Sequence, residues 1–267
     1  MKSDKSQAAQ HNATSISDVI NLPDKATEGR LPDFLGIGAQ KAGTSWLFDN
    51  LKVHPELFLP PEKEVHYFDR DFDKPFSFYT AKFAPAGRRI TGEITPAYSV
   101  IDDTTIAFIK SHMPKLRLIL ILRNPMERAW SHAMMDLVSR SGQPYESLAV
   151  DDFARHFRLK SSISRGDYDQ ILERWLCQYP LEQLLVLNYE DIATQPQEFL
   201  RRVFVHLGVS IPQDWSTFPY GKIIHRGTGI KVPDACGEIL REIYREPLQR
   251  LSQRLQNLAL PPVDYEL

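Results

Sequence analysis

Four short apolar runs punctuate the chain, and each is followed by a stretch in which apolar residues recur every three or four positions. The runs are Phe34-Leu35-Gly36-Ile37-Gly38, 89–94, 116–122 and 184–189, each short enough to read as a buried strand. The first helical period carries Leu47, Leu51 and Val53; the second covers 104–113 with Ile106 and Ile109 apolar and Pro114 at its end. A third puts Met126, Ala129, Trp130, Ala133, Met134 and Leu137 on one face, and a fourth does the same with Ile171, Leu172, Trp175, Leu176 and Tyr179. The fifth, 196–207, ends at Gly208, and the last, 234–257, is predicted to kink at Pro247. Strands alternating with helices predict an α/β fold: one domain, a mainly parallel sheet with helices on both faces, and a site at the strands' carboxyl ends.

Between these elements the pattern changes. Residues 1–30 are polar and aperiodic, a flexible lead-in to a domain over 31–267. In 54–69 three prolines enforce an extended path toward Glu62-Lys63-Glu64-Val65-His66-Tyr67-Phe68-Asp69. The aromatic segment 72–87 predicts an irregular loop with a short helix, and the polar, weakly patterned 139–160 a lid or insertion. A net charge of −2 excludes the broad basic field of a nucleic-acid binder, so any anion site must be local. Two cysteines, Cys177 and Cys236, make neither a disulfide framework nor a metal-ligand spacing. No apolar run reaches the ~18 residues of a membrane span and none forms a signal-peptide core, so the expected location is cytoplasmic.

Chemistry concentrates in the turn after the first run, Ala39-Gln40-Lys41-Ala42-Gly43-Thr44-Ser45-Trp46. Backbone N–H groups at a glycine-bearing helix start, joined by a lysine, suit an anion. The turn departs from G-x-x-x-x-G-K-[ST], because Lys41 follows the four-residue gap directly and Gly43 comes two positions later. A magnesium-dependent triphosphatase also needs an acid at a neighbouring strand end. The strongest strand instead ends in Arg123-Asn124-Pro125, a cation followed by a helix start in which Asn124 caps, Pro125 takes the first position and Glu127 completes a capping box.

Lys41-Ala42-Gly43-Thr44-Ser45 after a strand, with Arg123-Asn124-Pro125 some eighty residues on, resembles the sulfotransferases that use 3′-phosphoadenosine 5′-phosphosulfate (PAPS). The resemblance implies that Lys41 to Ser45, in a run extending to Trp46, holds the 5′-phosphosulfate. Arg123 and Ser131 would hold the 3′-phosphate; Arg128 and His132 are further candidates to reach it, with a surface position preferred for both. Arg226 and Gly227, and after them Lys222, would belong to a loop closing over the nucleotide. Adenosine 3′,5′-bisphosphate would leave without help from a metal. Lys63-Glu64-Val65-His66-Tyr67-Phe68 is similar to the string of the heparan sulfate branch, whose glutamate is the base; that makes Glu64 the preferred base and His66 its competitor, with Lys41 neutralising the leaving phosphate. Thr95-Pro96-Ala97-Tyr98 resembles a family turn, in which Thr95 and Tyr98 divide almost evenly between lining the site and belonging to a turn held by Pro96, and Ile94 stands where the heparan branch often has a sugar-contacting lysine. Tyr168 divides between a core and a cofactor-side role.

Two rival readings stay open at this level. One is a Mg-ATP kinase with Asp191 as metal ligand, against which the Tyr189-Glu190-Asp191 string is better read as a helix start. The other is a nucleotide-binding module without catalysis. The acceptor is equally open: a carbohydrate hydroxyl, a phenol, a lipid, or a hydroxyacyl chain on a carrier protein.

Overall fold

The computed structural model describes residues 29–222, 229–263 and 265. Five parallel strands, β1 (Phe34–Gly38), β2 (Leu57–Phe58), β3 (Ile90–Ile94), β4 (Arg117–Leu122) and β5 (Leu184–Asn188), lie in the order β2-β3-β1-β4-β5. Ten α-helices are present among the described residues: α1 (Thr44–Lys52), α2 (Phe76–Ala81), α3 (Asp103–His112), α4 (Pro125–Met134), α5 (Val150–Phe157), α6 (Lys160–Ser164), α7 (Tyr168–Leu176), α8 (Asp191–Thr194), α9 (Pro196–Leu207) and α10 (Asp234–Asn257). None of them is long and apolar enough to cross a membrane.

The four predicted strands are all present. The fifth, β2, lies inside the proline-rich path and pairs Leu57 with Ile90 and Phe58 with Thr91. Two residues at a sheet edge leave no period to detect. The connections that leave the adjacent strands β1 and β4 run in opposite directions, from β1 through α1 toward the β2 edge and from β4 outward to β5. Right-handed crossovers place helices that move in opposite directions on opposite faces, and the crevice opens where direction switches, between the carboxyl ends of β1 and β4.

The core divides in two. The larger cluster holds the buried strands with α1, α7 and α9, including Phe34, Leu47, Leu120, Trp175 and Phe204. A second cluster joins Trp130 and Met134 of α4 to Phe153 and Phe157 of α5 and to Leu240 and Tyr244 of α10. The stretch 139–160 is therefore not a loose lid. Past α4 the helix continues as a π turn, Met135–Arg140, and α5 docks its apolar face under α4 and α10. Helix α10 runs unbroken through Pro247.

Candidate active site

The loop after β1 is shaped by two left-handed residues. Lys41 has φ 68° and Gly43 φ 79°. The positive φ of Gly43 favours glycine there, and a Cβ would also crowd the Ile192 side chain. The N–H of Ala42 donates to Ala39 O at 3.2 Å, and Leu47 is the first residue of α1 to bond back, to Gly43 O at 3.0 Å. Among the described residues, the N–H groups of Gly43, Thr44, Ser45 and Trp46 have no backbone acceptor. This is a compact set of donors at a helix start, suited to anionic oxygens.

Arg123 closes the site from β4. Its Nη1 donates to Lys41 O at 2.9 Å and its Nη2 to Glu127 Oε2 at 3.0 Å, while the guanidinium lies 4.5 Å from the centre of the Tyr189 ring. Its Nε is buried and has no hydrogen-bond partner among the described residues, so a donor remains available beside the loop. The predicted Asn124 cap holds, with Oδ1 accepting from Met126 N at 2.9 Å and Glu127 N at 3.4 Å and Pro125 opening α4, but the expected capping box does not close, because the Glu127 carboxylate turns to Arg123 instead. Tyr168 lies in the core, fully buried, and its Oη accepts from Arg123 N at 3.4 Å.

Lys41 Nζ lies 3.8 Å from Met135 Sδ of the π turn. Burial lowers the pKa of its ammonium below the usual 10.5, and Arg123 and Arg140 lower it further, against a smaller opposing effect of Asp136. That Asp136 carboxylate is itself fixed, accepting from His156 at 3.0 Å, lying 3.2 Å from His132 and taking Arg140 at 2.8 Å.

Glu64 and His66 are brought together on one turn. Both have left-handed backbones, φ 66° and 55°, and His66 Nε2 lies 3.1 Å from Glu64 Oε2. The other ring nitrogen, Nδ1, faces Asp69 Oδ2 at 2.9 Å. Each of these contacts needs a proton, so Glu64 and His66 hold one between them and Asp69 fixes the ring. Lys63 Nζ donates to Glu64 Oε1. Burial pushes the Glu64 carboxyl up, but the Lys63 hydrogen bond and charge, with His66, outweigh it and leave the pKa below its ordinary 4.5. Asp69 was quoted in the sequence string without a role; a carboxylate three positions after a histidine was the available signal.

A buried network braces this turn. Glu93 is 1% exposed and accepts from Tyr79 Oη at 2.7 Å, Thr95 Oγ1 at 2.6 Å and Tyr98 Oη at 3.1 Å; Tyr98 Oη in turn accepts from Tyr67 N at 2.9 Å. Thr95 and Tyr98 are therefore buttresses beneath the Glu64 turn rather than lining residues. Replacing Tyr98 by phenylalanine leaves Glu93 one donor short and the Tyr67 N–H without an acceptor. It is expected to cost about 1–3 kcal/mol in urea unfolding; an unchanged midpoint would remove the hydroxyl from this account.

Other predicted residues fall differently. Trp46 turns into the core, its indole N–H donating to Tyr220 O at 2.9 Å and its ring meeting Phe199 edge-on. Only its backbone N–H faces the donor loop's chemistry. Ser131 is half-buried, two turns along α4. Arg128 and His132 are not on the surface: they are 0% and 5% exposed, because the second core covers the far side of α4. Arg128 Nη2 donates to Ser162 O at 2.7 Å. Arg226 and Gly227 lie outside the described residues. Asp191 is held by Gln195 at 3.0 Å and Arg202 at 3.5 Å, in the first turn of α8.

A family model described as "Sulfotransferase family" matches residues 72–213, just over half of the chain. Heparan sulfate glucosamine 3-O-sulfotransferase 3B1 of Homo sapiens is 33% identical over 241 residues, which cover 87% of this chain and 61% of that protein. Heparan sulfate glucosamine 3-O-sulfotransferase 5 of Mus musculus is 29% identical, over 74% of this chain and 60% of its own length. The chain thus spans between 46% and 61% of the length of the curated relatives that head the comparison. Its fold is shared with a sulfotransferase of Alicyclobacillus acidocaldarius (TM-score 0.66, 23% identity, 85% of this chain and 96% of that one). It is also shared with a mouse sulfotransferase complexed with PAP (TM-score 0.54, 14% identity, 86% and 87%).

Proposed function

Since this chain belongs to the sulfotransferase family, we propose that it moves a sulfuryl group from PAPS to an acceptor hydroxyl and releases adenosine 3′,5′-bisphosphate. The observation that carries the reading is the juxtaposition of two cations with a helix-start donor set. Arg123, at the end of β4, grips the carbonyl of Lys41 in the loop after β1, and the N–H groups of 43–46 stand free beside them. A mouse protein of this fold was solved with PAP bound, which is consistent with the same ligand here.

In this reading the N–H groups of Gly43, Thr44, Ser45 and Trp46, with the Thr44 and Ser45 hydroxyls, bind the 5′-phosphosulfate. Arg123 and Ser131 take the 3′-phosphate. Lys41 places its charge where negative charge grows on the departing phosphate. Across from it, Glu64 takes the acceptor's proton, with His66 as its hydrogen-bonded partner and Asp69 fixing the imidazole. Lys63 links the two halves, since its ammonium donates to Glu64 and its charge acts on Lys41. No residue role requires a metal. A carbohydrate hydroxyl is the acceptor class that the names of the curated relatives favour, while Ile94, in place of the heparan branch's lysine, sets this chain apart from them.

Titration calorimetry with adenosine 3′,5′-bisphosphate and with ATP, each with and without magnesium, tests the donor. Metal-independent binding of the bisphosphate, weakened in Arg123→Ala, is expected; preference for ATP with magnesium would favour the kinase reading and Asp191.

The pH profile separates the two candidate bases. Glu64 must be ionised to accept a proton, so activity falls as pH drops through its pKa, which lies below 4.5. Lys41 must be charged, so activity also falls as pH rises through its own depressed value, below 10.5. An acid limb of kcat/KM that survives Glu64→Gln and is lost in His66→Gln would transfer the role to His66.

A further inference from the structure

The chain does not end its structural work at α10. Leu260 N donates back to Leu255 O at 2.9 Å, and Ala259 takes a left-handed turn (φ 52°), so the chain reverses as it leaves the helix. Pro261 and Pro262 then hold it extended. Leu260, Val263 and Tyr265 all pack against the larger core. Tyr265 Oη reaches Asn188 Oδ1 at 3.2 Å.

Asn188 occupies a particular place. It is the last residue of β5 and stands in register with Leu122, the last residue of β4. The next residue on β4's side is Arg123; the next on β5's side is Tyr189. Tyr189 N donates to Leu122 O at 2.7 Å, and its ring is the platform under the Arg123 guanidinium at 4.5 Å. Tyr265 therefore fastens the strand end that supports Arg123. Burial, with Tyr168, Glu190 and Glu127 around it, pushes the Tyr265 phenol far above its ordinary pKa, so it keeps its proton and remains a donor.

We propose that Tyr265 is a positioning residue of the 3′-phosphate site, holding Asn188 and the Tyr189 platform so that Arg123 presents its guanidinium to that phosphate. This rests on the reading of Arg123 as the 3′-phosphate ligand. Tyr265 touches no phosphate in this account; it acts through the rim of β4 and β5. Its effect must therefore appear on ligands that carry a 3′-phosphate and vanish on those that do not.

The test compares adenosine 3′,5′-bisphosphate with adenosine 5′-monophosphate by calorimetry, on the wild type, Tyr265→Phe, Tyr265→Ala and Arg123→Ala, with melting temperatures alongside. Tyr265→Ala is expected to weaken bisphosphate binding about tenfold, on the scale of one hydrogen bond to a charged group, and to leave the monophosphate unchanged. Tyr265→Phe keeps the ring's packing and is expected to show a smaller loss of the same preference. An unchanged ratio of the two affinities in both Tyr265 variants overturns the proposal. So does a parallel loss for both ligands with a lowered melting temperature, which marks a purely structural role. If the wild type itself shows no preference for the bisphosphate and Arg123→Ala changes neither affinity, the Arg123 reading fails with it.

Discussion

Glu64→Gln is expected to lower sulfuryl transfer by about 10²–10⁴-fold, the usual worth of a positioned general base. The amide keeps the volume; its oxygen can still accept from Lys63 while its NH2 donates to His66 Nε2, the ring carrying its proton on Nδ1 toward Asp69, so the turn at 64–66 should hold its shape. Nothing in the change touches the donor loop at 41–46, and affinity for adenosine 3′,5′-bisphosphate should stay where it is. The measurement is single-turnover transfer from PAPS beside calorimetry with the bisphosphate. A loss confined to a few-fold would remove Glu64 from the chemistry and leave His66 as the base. Because the two residues hold one proton between them at 3.1 Å, their effects should not add. A Glu64→Gln/His66→Gln double variant should therefore be little worse than the more damaging single one.

Lys41→Met is expected to cost about 10²–10³-fold in turnover, on the scale of losing one preorganised group aimed at developing negative charge. Its stability signature should be opposite to that of an ordinary core defect. Burial and the nearby Arg123 and Arg140 already disfavour the Lys41 charge, so removing it relieves repulsion. The melting temperature should hold or rise while transfer collapses. Arg123 grips the backbone carbonyl of residue 41, a contact that survives the change, so the loop stays in place. A fall in both turnover and melting temperature would mean that the lysine supports the loop instead of the reaction.

Much of the donor side was legible in the sequence because it is local. A buried run, a glycine turn and a helix start lie within a dozen or so residues, and Arg123-Asn124-Pro125 declares both a strand end and a cap. What escaped depends on distant segments. Periodicity finds one apolar face of α4, but α5 and α10 cover another, which is why Arg128 and His132 are buried where a surface position was expected. Thr95 and Tyr98 divided between site-lining and turn residues until Glu93, on the strand before them, supplied a buried carboxylate that needs their hydroxyls. Trp46 adjoins the donor motif in sequence, yet α9 and the carbonyl of Tyr220 draw its side chain inward. β2 was invisible for a simpler reason, since two residues carry no alternation.

Lys41, Glu64 and His66 share a backbone property that bears on how the protein can change. All three sit in the left-handed region, which costs a residue with a Cβ about 1–2 kcal/mol and glycine almost nothing. Backbone energetics alone would favour glycine at each position, and glycine would erase the ammonium, the carboxylate and the imidazole together. With the roles proposed for these three residues, thermostability and activity pull in opposite directions there. Engineering for heat resistance should therefore spare these turns and work in the second core, where better packing carries no such penalty.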